Sequence, residues 1–315
     1  MKEILNCRIC DCTGEHSKYI AHETLHETWE PFSYFSCLSC GTLQIEEIPS
    51  DLGRHYPSDY YSFSSVRDGK IYTQAPVHKK VLAELLMNQR FQLGDWLLSG
   101  RLFPAFLRDF RRLGLTTQSR ILDVGCGNGA LLRRLRSWGF SSLQGIDPYL
   151  KEDSVQSGFS LLSKEIGKVA DKFDLVMLHH VIEHVLDPRQ TLKKISEVLS
   201  NRGIALISMP IAACYAWRKY GSSWFSWDPP RHLHILSHQS LTSIANQAGL
   251  KLLHVEYDDC QMCLERSWIN SVTPRGAKRD LTIESLLSRQ NFRGLSKRLR
   301  ESGDTDSAAF FFQKN

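Results

Sequence analysis

Short apolar runs separated by amphipathic stretches fill the second half of the chain. Five of these runs are strand-like in length and composition: Ile121–Val124, Leu143–Ile146, Phe159–Leu162, 175–178 and 203–210. The stretches between them place apolar residues at helical spacing. Since strands that alternate with helices form parallel sheets, the pattern predicts an α/β fold whose mostly parallel sheet carries helices on both faces.

One of these helices has sequence signals at both ends. Asp187 and Pro188 predict its start, because Asp is a good N-cap and Pro is tolerated in the first turn. We expect the segment Asn201-Arg-Gly203 to end it. Its buried stripe comprises Leu192, Ile195, Val198 and Leu199.

The C-terminal part predicts a strand pair with a long insertion. After a further helix over 240–248, residues 251–256 predict a sixth strand and residues 308–313 a seventh strand antiparallel to it. Residues 257–305 lie between them, where a short hairpin is usual. Their basic stretch 296–300 is more simply a solvated helix face than a surface for a phosphate-bearing substrate, although that alternative stays open.

The N-terminal part changes character twice before the first strand. Residues 51–63 are aromatic and rich in turn formers, and they include Tyr60 and Tyr61. Residues 77–113 predict two or three helices that are broken at Gly94, Gly100 and Pro104. Three regions follow from these shifts: a cysteine-rich subdomain over 1–50, an aromatic linker and helical cap over 51–118, and an α/β domain over 119–315.

The first predicted strand leads into a glycine-rich turn. Asp123 is followed by glycines at 125, 127 and 129, and a helical pattern begins at Ala130. Glycines are needed where the backbone adopts angles that a Cβ disfavours and where a cofactor approaches the main chain. Gly125-Cys-Gly127-Asn-Gly129-Ala130 also satisfies the dinucleotide pattern, with Asp147 at the distance of a ribose-binding acid. The turn alone does not identify the cofactor.

The acidic residues around the turn distinguish a dinucleotide from another cofactor that binds to such a turn. With Asp123 two residues before the first glycine and a glycine at 129, the turn resembles the first motif of class I S-adenosylmethionine-dependent methyltransferases. The resemblance implies that Asp123 lies near the cofactor's ammonium group and that Asp147 binds its ribose. The segment 173–188, which contains His179, resembles the fourth strand and following loop of that family. Together, the two resemblances imply these cofactor-binding residues: Asp123, Gly125, Cys126, Gly127, Gly129, Asp147 and His179.

Two pairs of cysteines predict a metal site near the N-terminus. Cys7 and Cys10 form one Cys-x-x-Cys pair, and Cys37 and Cys40 form another. Four thiolates satisfy tetrahedral zinc, so we predict one structural zinc ion. Cys12, His16, His22 and His26 are spare candidates. Cys12 could replace Cys10, although a free thiol is the simpler interpretation. Cys260 and Cys263 share the spacing but have no second pair near them, which favours ordinary structural cysteines.

Candidate catalytic residues follow the fourth and fifth predicted strands. Histidine titrates near neutrality, so His180 or His232 is our first choice for the general base that removes the acceptor's proton. Glu183 and His184 resemble a Glu-His pair that is frequent in the family and more often supports the loop than reacts. In quinone-type O-methyltransferases similar residues lie near a metal, so a cation stays an alternative here. Glu183, Tyr60 and Tyr61 are the next candidates for the base.

Composition limits the class of protein. The chain of 315 residues has 42% hydrophobic residues, 23% charged residues and a formal net charge of +5. We expect a cytoplasmic protein, since no apolar stretch approaches a membrane span and the start has no export signal. The modest charge and the lack of a dense basic run disfavour nucleic acid.

The expected partner is a small-molecule acceptor. Zinc-ribbon methyltransferases that act on sugars often have a similar order of segments, so a sugar nucleotide or saccharide is our main prediction. The alternatives are an O-methyltransferase of a quinone or phenol, a nicotinamide-dependent enzyme and a zinc-dependent interaction module. The sequence leaves the acceptor atom and the oligomeric state open.

Overall fold

The computed structural model describes residues 4–56, 76–90, 93–99, 103–273 and 281–315. The chain divides into two compact units. Unit 1 consists of Met1–Pro57, His180–Lys193 and Ile207–Phe312, and unit 2 consists of Ser58–His179, Lys194–Leu206 and Gln313–Asn315. Each unit is therefore built from segments that are far apart in sequence. The predicted boundaries near residues 50 and 118 stay predictions.

The strands of the described residues are numbered in chain order. They are β1 (Leu5–Asn6), β2 (Thr13–Gly14), β3 (Ser17–His22), β4 (Pro31–Ser36), β5 (Leu43–Ile45), β6 (Ile121–Val124), β7 (Leu143–Ile146), β8 (Ser154–Gln156), β9 (Phe159–Leu162), β10 (Phe173–His179), β11 (Leu199–Pro210), β12 (His234–Ile235), β13 (Leu250–Tyr257) and β14 (Ser307–Lys314).

The α-helices are numbered in the same way. They are α1 (Val77–Met87), α2 (Gly94–Ser99), α3 (Ala105–Arg112), α4 (Ala130–Arg136), α5 (Pro188–Val198), α6 (Tyr215–Tyr220), α7 (His238–Gln247), α8 (Gln261–Val272) and α9 (Leu281–Ser302).

The main sheet has the order β13-β14-β11-β10-β6-β7-β9-β8. In unit 2, β10, β6, β7 and β9 pair in parallel, with Leu178 opposite Val124 and Val124 opposite Ile146. Strands β6 and β10 are almost wholly buried, as expected for parallel strands that are covered on both faces. The predicted α/β class, with a mostly parallel sheet and antiparallel C-terminal strands, is confirmed.

The sheet has eight strands, whereas the sequence predicted seven. The extra strand is β8, which pairs antiparallel with β9, with Gln156 opposite Phe159. The two-residue turn between them ends at Gly158, whose φ is +67°. Two-residue hairpins need positive φ in the turn, and glycine meets that need without strain. The short, exposed strand before this turn has too few apolar residues to be recognised by periodicity.

Helix α5 begins where the sequence predicted and ends earlier. The Asp187 carboxylate accepts the N–H of Gln190 at 2.9 Å, which is the expected N-cap bond. The helix stops at Val198, and β11 begins directly at Leu199. The prediction that Leu199 belongs to the helix and that residues 201–203 end it was therefore wrong. Leu199 is buried in either case, so its burial could not distinguish helix from strand.

Unit 1 contains a second sheet, in which the N-terminal strands are joined by a strand from far along the chain. Its order is β12-β5-β4-β3, and all pairs are antiparallel. One face of this sheet, which includes Tyr34, packs on the buried side chains of Trp224 and Trp227. The two Trp side chains are about 1% exposed. Their burial makes them core residues.

The remaining predicted segments follow the sequence closely. Helices α1, α2 and α3 occupy the predicted helical region, with Gly94 as the first residue of α2 and Pro104 as the N-cap of α3. Helices α8 and α9 occupy the insertion between β13 and β14. Tyr60, Tyr61 and Gly100 lie outside the described residues.

Candidate functional site

The glycine turn after β6 has the geometry that its sequence requires. Gly125, Gly127 and Gly129 have φ values of +70°, +50° and +76°. This is the left-handed region, which favours glycine. A Cβ at Gly129 would lie only 2.7 Å from a methyl carbon of Leu161. The turn therefore depends on glycine both for its backbone angles and for space.

Asp147 closes this turn from the neighbouring strand. Its Oδ2 accepts the N–H of Gly127 at 3.0 Å, and its Oδ1 accepts the N–H of Tyr149 at 3.0 Å. The N–H groups of Gly125 and Cys126 both reach the carbonyl of Ile146, one residue before Asp147. A carboxylate has about four lone-pair sites, so these two bonds leave capacity for ribose hydroxyls.

Asp123 is a buried acid next to a second acid. Its side chain lies at the end of β6 and is 3% exposed. Burial, with the charge of Asp147 as a smaller cause, raises the pKa of Asp123 to about 7. A buried carboxylate without a cation is costly, and a cationic ligand would relieve that cost. An ammonium group fits this acid, whereas a pyrophosphate would be repelled by it.

The other two predicted cofactor residues differ in exposure. Cys126 lies inside the turn, and burial raises the pKa of its thiol, which therefore stays neutral. His179 is the last residue of β10 and is exposed. Since Leu178 pairs with Val124, His179 and the start of the glycine turn lie at the same edge of the sheet.

The four predicted zinc ligands lie together. The sulfur atoms of Cys7 and Cys40 are 3.7 Å apart, and those of Cys10 and Cys37 are 3.6 Å apart. All four sulfurs lie within 4.8 Å of one another. Tetrahedral Zn–S bonds of about 2.3 Å imply sulfur separations of about 3.8 Å, so the cluster fits zinc. The hydrogen bond with Cys40 is the largest effect that lowers the pKa of Cys7, to about 4.

Cys12 lies close to this cluster without belonging to it. It forms a second group with His16 and Cys37, so both groups share Cys37. One zinc ion needs four ligands, and only the first group supplies them. Cys260 and Cys263 are buried at the start of α8, and among the described residues neither belongs to a metal-type group.

His180 and Glu183 form a hydrogen-bonded pair directly after β10. Nδ1 of His180 lies 3.1 Å from Oε1 of Glu183, and Glu183 is 1% exposed. A carboxylate only accepts, so Nδ1 carries the hydrogen and Nε2 keeps its lone pair. Burial alone would lower the pKa of His180, but the bond and charge of Glu183 outweigh it and raise that pKa. His180 also has a φ of +54°, which is uncommon for a residue with a side chain.

Two more histidines join Glu183 in the same unit. The rings of His184 and His232 lie 4.7 Å apart. Each Nδ1–H donates to a main-chain carbonyl, that of Arg231 for His184 at 2.9 Å and that of Ser226 for His232 at 2.8 Å. Burial, with the neighbouring His232, lowers the pKa of His184 to about 4. His184 is thus a neutral imidazole at physiological pH.

The ligand-type atoms of Glu183, His184 and His232 lie within 4.8 Å of one another. Oε2 of Glu183 is buried and has no hydrogen-bond partner among the described residues. A carboxylate with two imidazoles is a donor set that suits divalent transition metals. The cation that we kept as an alternative at Glu183 and His184 therefore has suitable donors, and His232 is the third.

The sequence did not predict the charged network behind these histidines. Arg231 is fully buried, and its guanidinium lies 2.7 Å from a carboxylate oxygen of Glu23. Its Nε also donates to Asp228 at 3.0 Å. Although burial opposes the charged forms, Arg231 lowers the pKa of both acids. The adjacent prolines and histidines of the segment 228–234 were visible, but the partner Glu23 is 208 residues away and no local pattern indicates it.

Comparisons with known proteins agree with this geometry. Residues 99–255 match a family described as a methyltransferase domain. The ubiquinone biosynthesis O-methyltransferase of Azorhizobium caulinodans is 30% identical in an alignment 114 residues long that covers 33% of this chain and 45% of that protein. The protein of the same name from a Ruegeria species is 26% identical in an alignment 169 residues long that covers 49% of this chain and 68% of that protein. The chain thus spans less than half of the first relative.

A solved structure from Mesorhizobium loti is described as an S-adenosylmethionine-dependent methyltransferase. It is 17% identical and covers 69% of this chain and 100% of its own, with a TM-score of 0.42. The family match and the turn geometry lead to one conclusion: the chain carries a class I S-adenosylmethionine-dependent methyltransferase domain. The resemblance stated from Asp123, Gly125, Gly127 and Gly129 is confirmed at this level.

Proposed function

We propose that this protein transfers a methyl group from S-adenosylmethionine to an oxygen atom of a small acceptor, with His180 as the general base. The observation that carries the proposal is the His180–Glu183 pair at the end of β10. Strand β10 ends at His179, directly before this pair in the sequence, and its parallel partner β6 leads into the glycine turn. Methyl transfer is an in-line displacement, so alignment and proton removal are what the protein must supply.

The cofactor would be held by residues of unit 2. The glycine turn offers main-chain groups, Asp147 offers carboxylate oxygens for the ribose, and Asp123 offers a negative charge for the ammonium group. Cys126 and His179 would line the cofactor through their positions in the turn and at the end of β10. The bound cofactor would supply the activated methyl group.

The base would act through Nε2 of His180. Glu183 fixes the ring tautomer and stabilises the imidazolium that forms when the acceptor's proton is taken. His232 is the second candidate, since its Nδ1–H is also fixed and its Nε2 is left to accept. Glu183, Tyr60 and Tyr61 stay as reserve candidates, and both tyrosines lie outside the described residues.

The acceptor we favour has a phenolic hydroxyl. The relatives from Azorhizobium caulinodans and Ruegeria are ubiquinone biosynthesis O-methyltransferases, which supports the quinone or phenol alternative over the sugar nucleotide that the sequence analysis favours. The chemistry agrees, because a histidine base is better matched to a phenol, whose pKa is about 10, than to a sugar hydroxyl, which is a much weaker acid.

Two metal ions enter the proposal in different roles. A structural zinc ion would be held by Cys7, Cys10, Cys37 and Cys40. At the second place, Glu183, His184 and His232 would hold a divalent cation, which would polarise the acceptor oxygen and reduce the need for a base.

An acceptor panel tests the proposal. The full chain is incubated with methyl-labelled S-adenosylmethionine and either dihydroxyphenols or nucleotide sugars, and label in the product is counted. We expect transfer to the phenol oxygen and almost no activity in His180→Ala. His238→Ala, which changes an exposed residue at the start of α7, should have normal activity. Transfer to nucleotide sugars alone would contradict the acceptor class, and transfer that survives in both His180→Ala and His232→Ala would contradict the base.

The described residues contain no helix with the length and apolarity needed to cross a bilayer. A small-molecule acceptor and a cytoplasmic location remain part of the proposal.

A further inference from the structure

We propose that the cysteine cluster sets the positions of His184 and His232, and that Gln44 is the positioning residue that links them. The inference rests on the proposed function, because that function makes the two histidines important. All the groups involved belong to unit 1.

The side chain of Gln44 is bound at both ends to the first cysteine pair. Its Nε2 donates to the sulfur of Cys7 at 2.8 Å, and its Oε1 accepts the N–H of Arg8 at 2.9 Å. The residue is fully buried. An amide with both ends occupied in a closed space has one rotamer, so the position of Gln44 follows that of Cys7.

The main chain of Gln44 is joined to the segment that carries His232. In the β5–β12 pair, Gln44 lies opposite His234 and Leu43 lies opposite Ile235. The N–H of Ile45 also donates to the carbonyl of Leu233 at 3.1 Å. His232 is two residues from this pairing, so a shift of β5 moves it.

The segment 232–237 also forms hydrogen bonds with Glu183, with Tyr34 and with the second cysteine pair. The N–H of Leu233 donates to the carbonyl of Glu183 at 2.8 Å. The Tyr34 hydroxyl donates to the carbonyl of His232 at 2.9 Å, and the Ser237 hydroxyl donates to the carbonyl of Cys40 at 2.7 Å. The segment 232–237 is thus fixed between Glu183 and both cysteine pairs.

A metal ion at the cysteines would complete this arrangement. One ion holds four sulfurs at fixed separations, and hydrogen bonds to metal ligands from a second layer of residues fix the orientation of the site. Without the ion, Cys7 and Cys40 lose their common anchor, and Gln44 and Ser237 lose fixed partners. Zinc at the N-terminus would therefore act on methyl transfer without touching the acceptor or the cofactor.

The test uses the full chain labelled with ¹³C at the histidine rings. Ring proton resonances of the zinc-loaded protein are compared with those of Gln44→Met, which keeps side-chain length and loses both hydrogen bonds. The matched control is Thr13→Val, which loses a bond to Asn6 in the same N-terminal part. Single His184→Asn and His232→Asn variants assign the two resonances, and His254, stacked on Phe311, is an internal reference.

We expect the resonances of His184 and His232 to move in Gln44→Met while that of His254 stays in place, with no such change in Thr13→Val. Zinc affinity should fall about 10- to 100-fold, the usual effect of losing such a second-layer partner. If Gln44→Met does not fold, cadmium replaces zinc in the wild-type chain, because its longer metal–sulfur bonds displace the cysteines without any substitution.

Unchanged resonances of both histidines in the folded variant, or with cadmium in the cluster, would overturn the coupling. S-adenosylmethionine affinity is measured on the same wild-type sample. A protein that binds no S-adenosylmethionine yet shows the coupled shifts would contradict the proposed function and leave the coupling intact.

Discussion

Arg231 and Glu23 form an ion pair that is almost completely shielded from water. Nη2 of Arg231 lies 2.7 Å from Oε1 of Glu23, with side-chain exposures of 0% and 1%. Glu23 also accepts hydrogen bonds from the N–H groups of Leu25, His26 and Thr28, so both of its carboxylate oxygens have partners. Because the carbonyl of Arg231 holds His184, this pair lies directly behind the proposed site.

Removing one partner of the Arg231–Glu23 pair should be costly. Arg231→Met leaves the buried Glu23 and the partly buried Asp228 without their cation, so we expect the free energy of unfolding to fall by about 3–5 kcal/mol. Denaturant unfolding followed by circular dichroism measures this. Arg54→Ala is the control, since its pairs with Glu30 and Asp51 are exposed and worth less than about 1 kcal/mol. Equal losses in both variants would contradict the account of the network.

The His180–Glu183 pair predicts the pH dependence of turnover. A base acts only when unprotonated, and Glu183 raises the pKa of His180 above its usual value of 6.5. The rate should therefore rise with pH and reach half of its maximum above pH 6.5. Glu183→Gln removes the largest of the effects that raise this pKa and leaves the smaller charge effects of Asp258 and Asp306, so the acidic limb of kcat/KM should move to lower pH. His180→Ala should lower turnover by about 10²- to 10⁴-fold.

If the acidic limb of kcat/KM moves to higher pH in Glu183→Gln, a group other than His180 controls it. His232→Ala serves as the comparison, since it leaves the His180–Glu183 bond in place. If His232→Ala abolishes the limb and Glu183→Gln does not move it, His232 is the base.

The cysteine cluster predicts one zinc ion per chain. Elemental analysis of Cys37→Ser should show loss of zinc, because three thiolates no longer close the tetrahedron. Chelation should make the first fifty or so residues accessible to protease before the rest of the chain. Cys12→Ser is the matched control and should retain the metal. Retention in Cys37→Ser, or loss in Cys12→Ser, would mean that the ligand set is different.

The extent of prediction from sequence differs between the two units. In unit 2, the bounds of β6, β7 and β9 and the glycine turn followed from local patterns, because each is specified by adjacent residues. In unit 1, the pairing of β12 with β5 and the contact of Arg231 with Glu23 join residues about 190 to 210 positions apart. Such contacts depend on tertiary packing, and the spacing of apolar residues along the chain does not indicate which distant residues meet.

The histidine site was predicted in part for the same reason. His180, His232 and Glu183 were selected by their positions after strands, and unit 1 does bring Glu183 together with both histidines. The role of His184 was underestimated, because only the fold reveals that its ring lies against His232. The burial of Trp224 and Trp227 was not foreseeable, since an aromatic cluster in a loop is equally typical of a ligand site and of a core.

The most direct test of the central claim is titration calorimetry of the full chain with S-adenosylmethionine. The glycine turn, Asp123 and Asp147 predict micromolar affinity for the cofactor and for its demethylated product. Gly127→Val, which places a branched side chain at a φ of +50°, should abolish binding, while Gly167→Ala, whose added Cβ meets nothing within 4 Å, should bind normally. Wild-type affinity in Gly127→Val, or binding of a nicotinamide dinucleotide in place of S-adenosylmethionine, would contradict the account.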